Sequence, residues 1–231
     1  MTRTKMIRAA GVICAVCLLA GSVPAQPDFK HVTSVKSPDG QIEVEFKLKG
    51  KALHYSMKAG AEPVIEDSQV GLIVGNKQIT EGIQIKDIRQ TVIDRKYSIR
   101  SVHSKAVNHC KVVAIDYESL SMPVSGKVEA RVCNTGLAFR TMVNCPEPRT
   151  ISWKGGSYFN LSDDSRLYFH TDVVDYENCY FDVSVADVAH ETYMAPPVTA
   201  KLADGKGYVA ITEARLIDFA GEEEQEVSAR A

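Results

Sequence analysis

The stretch from Lys127 to Val143 contains two alternating runs around a short turn, and no other stretch restricts the fold as strongly. In the first run apolar residues occupy every second position between charged ones: Val128, Ala130 and Val132. In the second run one face is formed by Leu137, Phe139 and Thr141. Side chains alternate between the two faces of a strand, so each run predicts a half-buried strand. The turn Asn134-Thr135-Gly136 tolerates positive φ, which favours a tight antiparallel hairpin.

Strand signals of this kind recur about every ten residues along the chain. The turn Ser37-Pro38-Asp39-Gly40 leads into the clearest of them, in which Ile42, Val44, Phe46 and Leu48 alternate with charged residues. Further strands are predicted over residues 52–58, 63–65, 70–74, 79–93, 97–102 and 111–117, with Ile83, Ile85 and Ile88 pointing inward. No amphipathic helical period precedes Asp182, so the pattern predicts an all-β sandwich or barrel rather than alternating strands and helices.

The last third of the chain is less regular. Residues Asp182 to His190 are compatible with one short helix, and Gly207 to Phe219 predicts a final long strand or strand pair. Glu213 lies in the middle of that apolar segment, so we expect it to be buried beside a structural partner such as Arg215 or Arg140.

Length and composition are those of a folded domain. The chain has 231 residues, of which 45% are hydrophobic, and this is enough for one large domain or two small ones. The formal net charge is −2, so there is no global attraction to nucleic acid or to an anionic membrane surface. A neutral partner fits this charge better than an acidic one.

The first 25 residues have the pattern of a secretory signal peptide. A basic start at Arg3, Lys5 and Arg8 precedes an apolar run from Ala9 to Ala20, and Val23-Pro24-Ala25 offers a cleavage site before Gln26. A retained N-terminal anchor is the alternative. We expect a secreted or periplasmic protein without a membrane span after cleavage, a domain over residues 26–221, and an acidic, frayed tail over residues 222–231.

Four cysteines remain after cleavage, at Cys110, Cys133, Cys145 and Cys179. An exported chain can oxidise them into two disulfides, for which three pairings exist. Free buried thiols are equally compatible with the sequence. No CxxC spacing indicates a zinc or redox site.

Several segments in a fixed order resemble the N-terminal region of glycoside hydrolase family 97, the secreted bacterial α-glucosidases and α-galactosidases. They are Ser37-Pro38-Asp39-Gly40, Asn108-His109, Asn134-Thr135-Gly136-Leu137-Ala138-Phe139-Arg140, Tyr176-Glu177-Asn178-Cys179-Tyr180, Pro197-Val198-Thr199, and Gly207-Tyr208-Val209-Ala210-Ile211-Thr212-Glu213-Ala214 with Asp218-Phe219. The resemblance covers residues 34–221. It implies a galactose-mutarotase-like β-supersandwich packed against a (β/α)₈ barrel that carries the catalytic carboxylates.

The resemblance also implies a calcium ion beside the sugar site, with one glutamate ligand reaching in from the N-terminal domain. Glu177 looks like that glutamate, and calcium prefers carboxylate oxygens. The alternative is an exposed loop glutamate without a ligand. A single carboxylate does not hold calcium, so calcium is expected only in an intact enzyme.

A (β/α)₈ barrel needs about 250 residues, so the resemblance implies a member truncated before its catalytic barrel and incomplete at its C-terminal sheet edge. We therefore expect a non-catalytic domain that supports a barrel acting on α-linked glucosides or galactosides, and that shows no turnover by itself. The rival hypothesis is a free-standing, secreted carbohydrate-binding sandwich.

Other acidic and aromatic residues have plainer interpretations. Asp163-Asp164 predicts a turn rather than a catalytic carboxylate pair, and Glu191 has no predicted partner. Aromatic residues cluster at Trp153, Tyr158, Phe159, Tyr168 and Phe169. Aromatic side chains stack on sugars, but within a sandwich they are more often part of the core.

Overall fold

The computed structural model describes residues 29–100, 104–152, 157–172, 178–189 and 192–213. The predicted signal peptide and acidic tail lie outside these residues. The described part is built of fifteen β-strands and two short 3₁₀ turns, which confirms the all-β prediction. No helix within the described ranges is long and apolar enough to cross a membrane.

The first sheet is an antiparallel meander of four strands in the order β1-β2-β3-β4. These are β1 (Phe29–Lys36), β2 (Ile42–Lys49), β3 (Ala52–Ala59) and β4 (Glu62–Gln69). The predicted turn joins β1 to β2, where the Gly40 N–H donates to the Ser37 carbonyl at 2.9 Å. Gly40 adopts a φ of 76°, a conformation that favours glycine. On β2, Val44 and Phe46 are fully buried as the alternation predicts.

The second sheet contains the predicted hairpin in the strand order β10-β9-β8-β7. Its strands are β7 (Ile83–Ser98), β8 (Lys105–Ser119), β9 (Ser125–Cys133) and β10 (Gly136–Asn144). The hairpin joins β9 to β10, and Val128, Ala130 and Val132 are fully buried. The turn differs from the prediction, because Asn134 and Thr135 have negative φ and only Gly136 is positive, at 157°.

Strand β7 corrects the sequence-based boundaries. The sequence predicted separate strands over residues 79–93 and 97–102, whereas one strand runs from Ile83 to Ser98. It is continuous because β8 pairs with it along its whole length. Ile83 is buried and Ile85 half-buried, but Ile88 is 37% exposed because β7 is the edge of its sheet.

Side chains from both sheets form one hydrophobic core. Phe46, Tyr55 and Ile115 are fully buried there. Tyr55 donates its hydroxyl to the Tyr158 carbonyl at 2.9 Å, and the Phe159 ring packs edge-on against the Tyr55 ring at 6.4 Å. This packing confirms the core interpretation of Phe159, and Trp153 lies outside the described residues.

The free edge of β4 is covered by the segment that follows residue 156. The Tyr158 N–H donates to the Gln69 carbonyl at 3.0 Å, and the Glu66 N–H donates to the Asn160 carbonyl at 2.8 Å. The Asn160 N–H donates to the Ser68 hydroxyl at 2.8 Å. These bonds satisfy the polar groups that an edge strand would otherwise expose.

Two smaller sheets complete the described part. Three two-residue strands form the sheet order β11-β5-β6: β5 (Ile73–Val74), β6 (Lys77–Gln78) and β11 (Ile151–Ser152). The fourth sheet, in the order β13-β12-β14-β15, contains β12 (Arg166–His170), β13 (Phe181–Ser184), β14 (Ala195–Lys201) and β15 (Tyr208–Ile211). Its own core includes Leu167, Phe169 and Met194.

The predicted short helix over Asp182 to His190 is wrong. Phe181–Ser184 is a strand, because it pairs with β12 from Phe169 to Arg166, and only Val185–Asp187 forms a 3₁₀ turn. The last predicted strand is confirmed for Tyr208–Ile211, and its remainder from residue 214 onward lies outside the described residues.

A disulfide joins Cys110 on β8 to Cys133 on β9, two directly opposed residues of the second sheet. The Cys110–Cys133 bridge belongs to one of the three cysteine pairings that the sequence left open. Cys145 is half-buried and Cys179 exposed, and both are free thiols.

Candidate functional site

The loop over residues 171–180 joins β12 to β13, and it contains the glutamate implied by the family resemblance. Glu177 itself lies outside the described residues. At the foot of the loop, Phe169 lies opposite Phe181, and their rings stack with centroids 5.4 Å apart. Just inside the loop, the Asn178 side-chain amide donates to the Asp172 carboxylate at 3.3 Å. Asp172 and Asn178, which flank residues 173–177 in the sequence, are thus brought together.

A buried histidine supports the same end of β12. His170 is 1% exposed, and its ring contacts Tyr180 edge-on with centroids 5.2 Å apart. Tyr180 is 59% exposed, so an apolar ring lies on the surface directly beside the loop. The sequence patch predicted neither contact, since His170 and Tyr180 are ten residues apart.

Among the described residues, the oxygen atoms near this loop do not make up a calcium site. Calcium takes six to eight oxygen ligands. Across the described ranges there is no group of three or more His, Cys, Asp or Glu side chains that could hold a metal ion. The Asp172 carboxylate is the described acidic group at the loop, and it already accepts the Asn178 amide. The described residues of this loop therefore offer one carboxylate, and Glu177 lies outside them.

The other predicted carboxylates are not brought together. Asp163 and Asp164 occupy an exposed turn, as the sequence indicated. Glu213 is exposed and lies two residues beyond the end of β15, so the expected burial within an apolar strand is wrong. The strand ends at Ile211 because its pairing with β14 ends there. Glu191 and Arg215 lie outside the described residues.

Arg140 pairs with a different glutamate from the one expected. On the outer face of the hairpin, Arg140 and Arg131 lie 3.4 Å and 2.9 Å from the Glu129 carboxylate. Burial pushes the pKa of Glu129 upward, but the Arg131 hydrogen bond and the two guanidinium charges outweigh burial, so this pKa lies below its ordinary value. The alternation of the two strands predicts that Glu129, Arg131 and Arg140 project from the outer face. Their contacts follow from the register, which sets Arg140 opposite Glu129. The cluster is a structural ion pair.

A second charged cluster, which the sequence did not indicate, lies on the first sheet. Asp67 on β4 is contacted by Lys47 at 3.2 Å and by His54 at 3.1 Å. Burial lowers the pKa of His54, against the opposing pull of the Asp67 carboxylate. The contacts of Asp67 with Lys47 and His54 connect β2, β3 and β4, and they stabilise the sheet.

A shallow groove of about 380 Å³ follows β10 and is lined by residues between Val143 and Ile151. It contains one carboxylate, Glu147, which faces Arg149 at 3.4 Å. Glycoside hydrolysis commonly requires two carboxyl groups on either side of the scissile bond. This groove therefore lacks the acid pair of a glycosidase.

The comparisons with known proteins agree with this geometry. The chain matches the family model described as Glycosyl-hydrolase 97 N-terminal over residues 35–226. A Glycoside Hydrolase Family 97 enzyme from Pseudoalteromonas sp. strain K8, in complex with panose, is similar with a TM-score of 0.65 and 18% identity, over 75% of this chain and 27% of that chain. The same enzyme in complex with acarbose gives the same values.

A structure described as a β-arabinopyranosidase is similar with a TM-score of 0.68 and 17% identity, over 80% of this chain and 32% of that one. None of the curated proteins matches the chain. At these identities the structural likeness shows the fold. The chain spans only about a third or less of the length of these structures.

Proposed function

The chain belongs to the Glycosyl-hydrolase 97 N-terminal family, and from that membership we propose that it is the non-catalytic sandwich domain that supports a family 97 catalytic barrel. The family match over residues 35–226 carries this proposal. It is supported by the neighbours, because this fold covers only 27% and 32% of their chains. Hydrolysis of an α-linked glucoside or galactoside then belongs to the barrel domain.

Within this function, the loop over residues 171–180 presents Glu177 to a calcium ion shared with the barrel. The Asn178 amide donates to the Asp172 carboxylate at 3.3 Å, which brings together the residues that flank positions 173–177 in the sequence and supports this proposal. Bound calcium would supply positive charge beside the sugar. The protein's part is to offer one carboxylate from a loop that the paired strands β12 and β13 support.

An exported location is part of the same proposal. The basic start, the apolar run and the small residues before Gln26 indicate a signal peptide. The Cys110–Cys133 disulfide supports it, because structural disulfides persist in oxidising compartments outside the cytosol.

Calcium titration of the isolated chain tests the shared site. We expect binding no tighter than the millimolar range, because one glutamate and its neighbours leave most of the coordination sphere to water. The Glu177→Gln variant should titrate like the wild type. Binding in the micromolar range that disappears in Glu177→Gln would show a complete site within this chain and contradict the proposal.

A matched panose titration separates the rival function. A free-standing module for neutral sugars would show saturable binding of panose by the isolated chain. The proposed supporting domain should show no panose binding, because the sugar site lies on the barrel.

A further inference from the structure

Strands β7 and β8 extend beyond every other strand of their sheet. β9 pairs with β8 only from Glu118 to Cys110, where the disulfide lies. Beyond Cys110, β7 and β8 continue for five further residue pairs, from Asp94 opposite His109 to Ser98 opposite Lys105. We call these ten residues the distal ribbon. It is a two-stranded extension with one neighbour for each strand among the described residues.

The distal ribbon exposes apolar side chains. Tyr97 is 53% exposed and Val107 is 63% exposed. An isolated two-stranded hairpin is marginally stable in water, and exposed edge strands are templates for contact with other molecules. The β4 edge, in contrast, is covered by residues 158–160. Within the described part of the chain, the ribbon is therefore a projecting surface whose apolar residues Tyr97 and Val107 are exposed.

The ribbon region is also strongly basic, although the chain as a whole has a net charge of −2. Five cationic side chains lie between Val92 and Lys111: Arg95, Lys96, Arg100, Lys105 and Lys111. The same interval contains one carboxylate, Asp94, which lies 3.3 Å from the His109 ring. A local excess of positive charge on a protruding element attracts polyanions. The net charge of the whole chain does not indicate this local excess of positive charge.

The register places complementary groups on one face of the ribbon. Arg95 lies opposite Asn108, and Tyr97 lies opposite Ala106. Directly opposed residues share a face, as do residues two apart on a strand, so these four side chains project to the same side. Ala106 is small and Tyr97 is 53% exposed, and Arg95 projects from the same face two residues away. A guanidinium binds a carboxylate through two parallel hydrogen bonds, and an aromatic ring stacks on an apolar sugar face.

From this juxtaposition we propose that the distal ribbon binds a carboxylated polysaccharide. Tyr97 stacks on a sugar ring, Arg95 pairs with the sugar carboxylate, and the Asn108 amide supplies a further hydrogen-bond donor. Lys96 and Lys105 add long-range attraction for the same polymer. An acidic protein segment would use the positive charge equally well, but it would gain nothing specific from an aromatic ring beside a guanidinium. This site is separate from the proposed role of Glu177 and does not depend on it.

Titration with polygalacturonate tests the proposal, with neutral dextran and polyglutamate as comparison polymers. We expect saturable, salt-sensitive binding of polygalacturonate, no binding of dextran and weaker binding of polyglutamate. Arg95→Gln should weaken polygalacturonate binding about tenfold, through loss of a bidentate ion pair. Tyr97→Ala should weaken it about fivefold, through loss of stacking, while leaving polyglutamate binding unchanged.

Matched controls remove charge at the opposite end of the same two strands. Lys51 is exposed and lies near the start of β7, where its carbonyl accepts the Ile83 N–H. Lys77 is also exposed and lies near the end of β8, where its ammonium group donates to the Ser121 carbonyl. Lys51→Gln and Lys77→Gln should leave binding within twofold of the wild type. All variants are at exposed positions, and a cooperative thermal transition confirms that each is folded.

Three results would overturn the proposal. The first is an absence of polygalacturonate binding by the folded wild-type chain. The second is polyglutamate binding as tight as polygalacturonate binding, which would indicate an acidic protein partner. The third is equal loss of affinity in Lys51→Gln and Arg95→Gln, which would indicate attraction by overall charge alone.

Discussion

Replacing Gly126 with alanine is expected to lower the free energy of unfolding by about 3 kcal/mol, at the upper end of the usual cost of overpacking a core. Gly126 lies on β9 directly opposite Tyr117 on β8. A Cβ atom added at Gly126 would lie 2.8 Å from the Tyr117 Cε2 atom and closer still to Cζ and Oη. Tyr117 is 1% exposed and belongs to the main core, so its ring has no free space to enter.

Chemical denaturation of the wild type and five variants, Gly126→Ala, Tyr117→Phe, Tyr117→Leu and the two double variants, checks this result. Gly126→Ala should keep most of its cost in a Tyr117→Phe background, because the overlap with the Cζ and Cε2 ring carbons remains when the Oη overlap is removed. In a Tyr117→Leu background it should cost less than about 1 kcal/mol, and the difference is the coupling energy of the pair. An equal cost of Gly126→Ala in all backgrounds, or no cost in the wild type, would contradict the packing described for these strands.

The second large effect is expected from removal of the disulfide. The bridge closes a loop between positions that are 23 residues apart, and the double variant Cys110→Ala/Cys133→Ala should lose about 3 kcal/mol of unfolding free energy from the greater entropy of its unfolded chain. Denaturation of the wild type with and without a reducing agent should show the same difference.

Cys179→Ala is the matched control, because Cys179 is an exposed free thiol. Its stability should equal that of the wild type, and it should respond to reducing agent in the same way. If Cys179→Ala were destabilised as strongly as the double variant, the pairing of Cys110 with Cys133 would be wrong. A double variant as stable as the wild type would show that the bridge contributes nothing to the fold.

Most of the strands could be predicted from local alternation. The run from Ile42 to Leu48 and the hairpin around Gly136 each bury one face, and a period of two residues records that burial directly in the sequence. Glycine and proline turns marked their ends. These features are local, so no knowledge of the partner strand was needed.

Features that depend on a partner strand could not be predicted. β7 is one strand because β8 pairs with it throughout, and residues 181–184 are a strand because β12 pairs with them. The Cys110–Cys133 bridge and the Glu129–Arg140 pair likewise follow from register. The spacing of residues along one strand does not predict its register with a partner strand. The register depends on how the buried faces of both strands fit together.

The candidate site was reached by resemblance. A single glutamate such as Glu177 belongs to no periodic pattern that would distinguish it from the other carboxylates of the sequence. The distal ribbon could not be predicted from the sequence, because it depends on the pairing of two strands. Its basic residues are divided between β7 and β8, and they form one cationic surface only when the two strands pair.

The most direct test of the account is turnover of p-nitrophenyl α-glucoside and α-galactoside by the purified chain in the presence of calcium. Cooperative unfolding of the same preparation establishes that the sandwich is folded. We expect no release of p-nitrophenol above the buffer rate, because the proposed function places the catalytic carboxylates on a separate barrel domain. Turnover that co-elutes with the folded chain and rises in proportion to its concentration would contradict it.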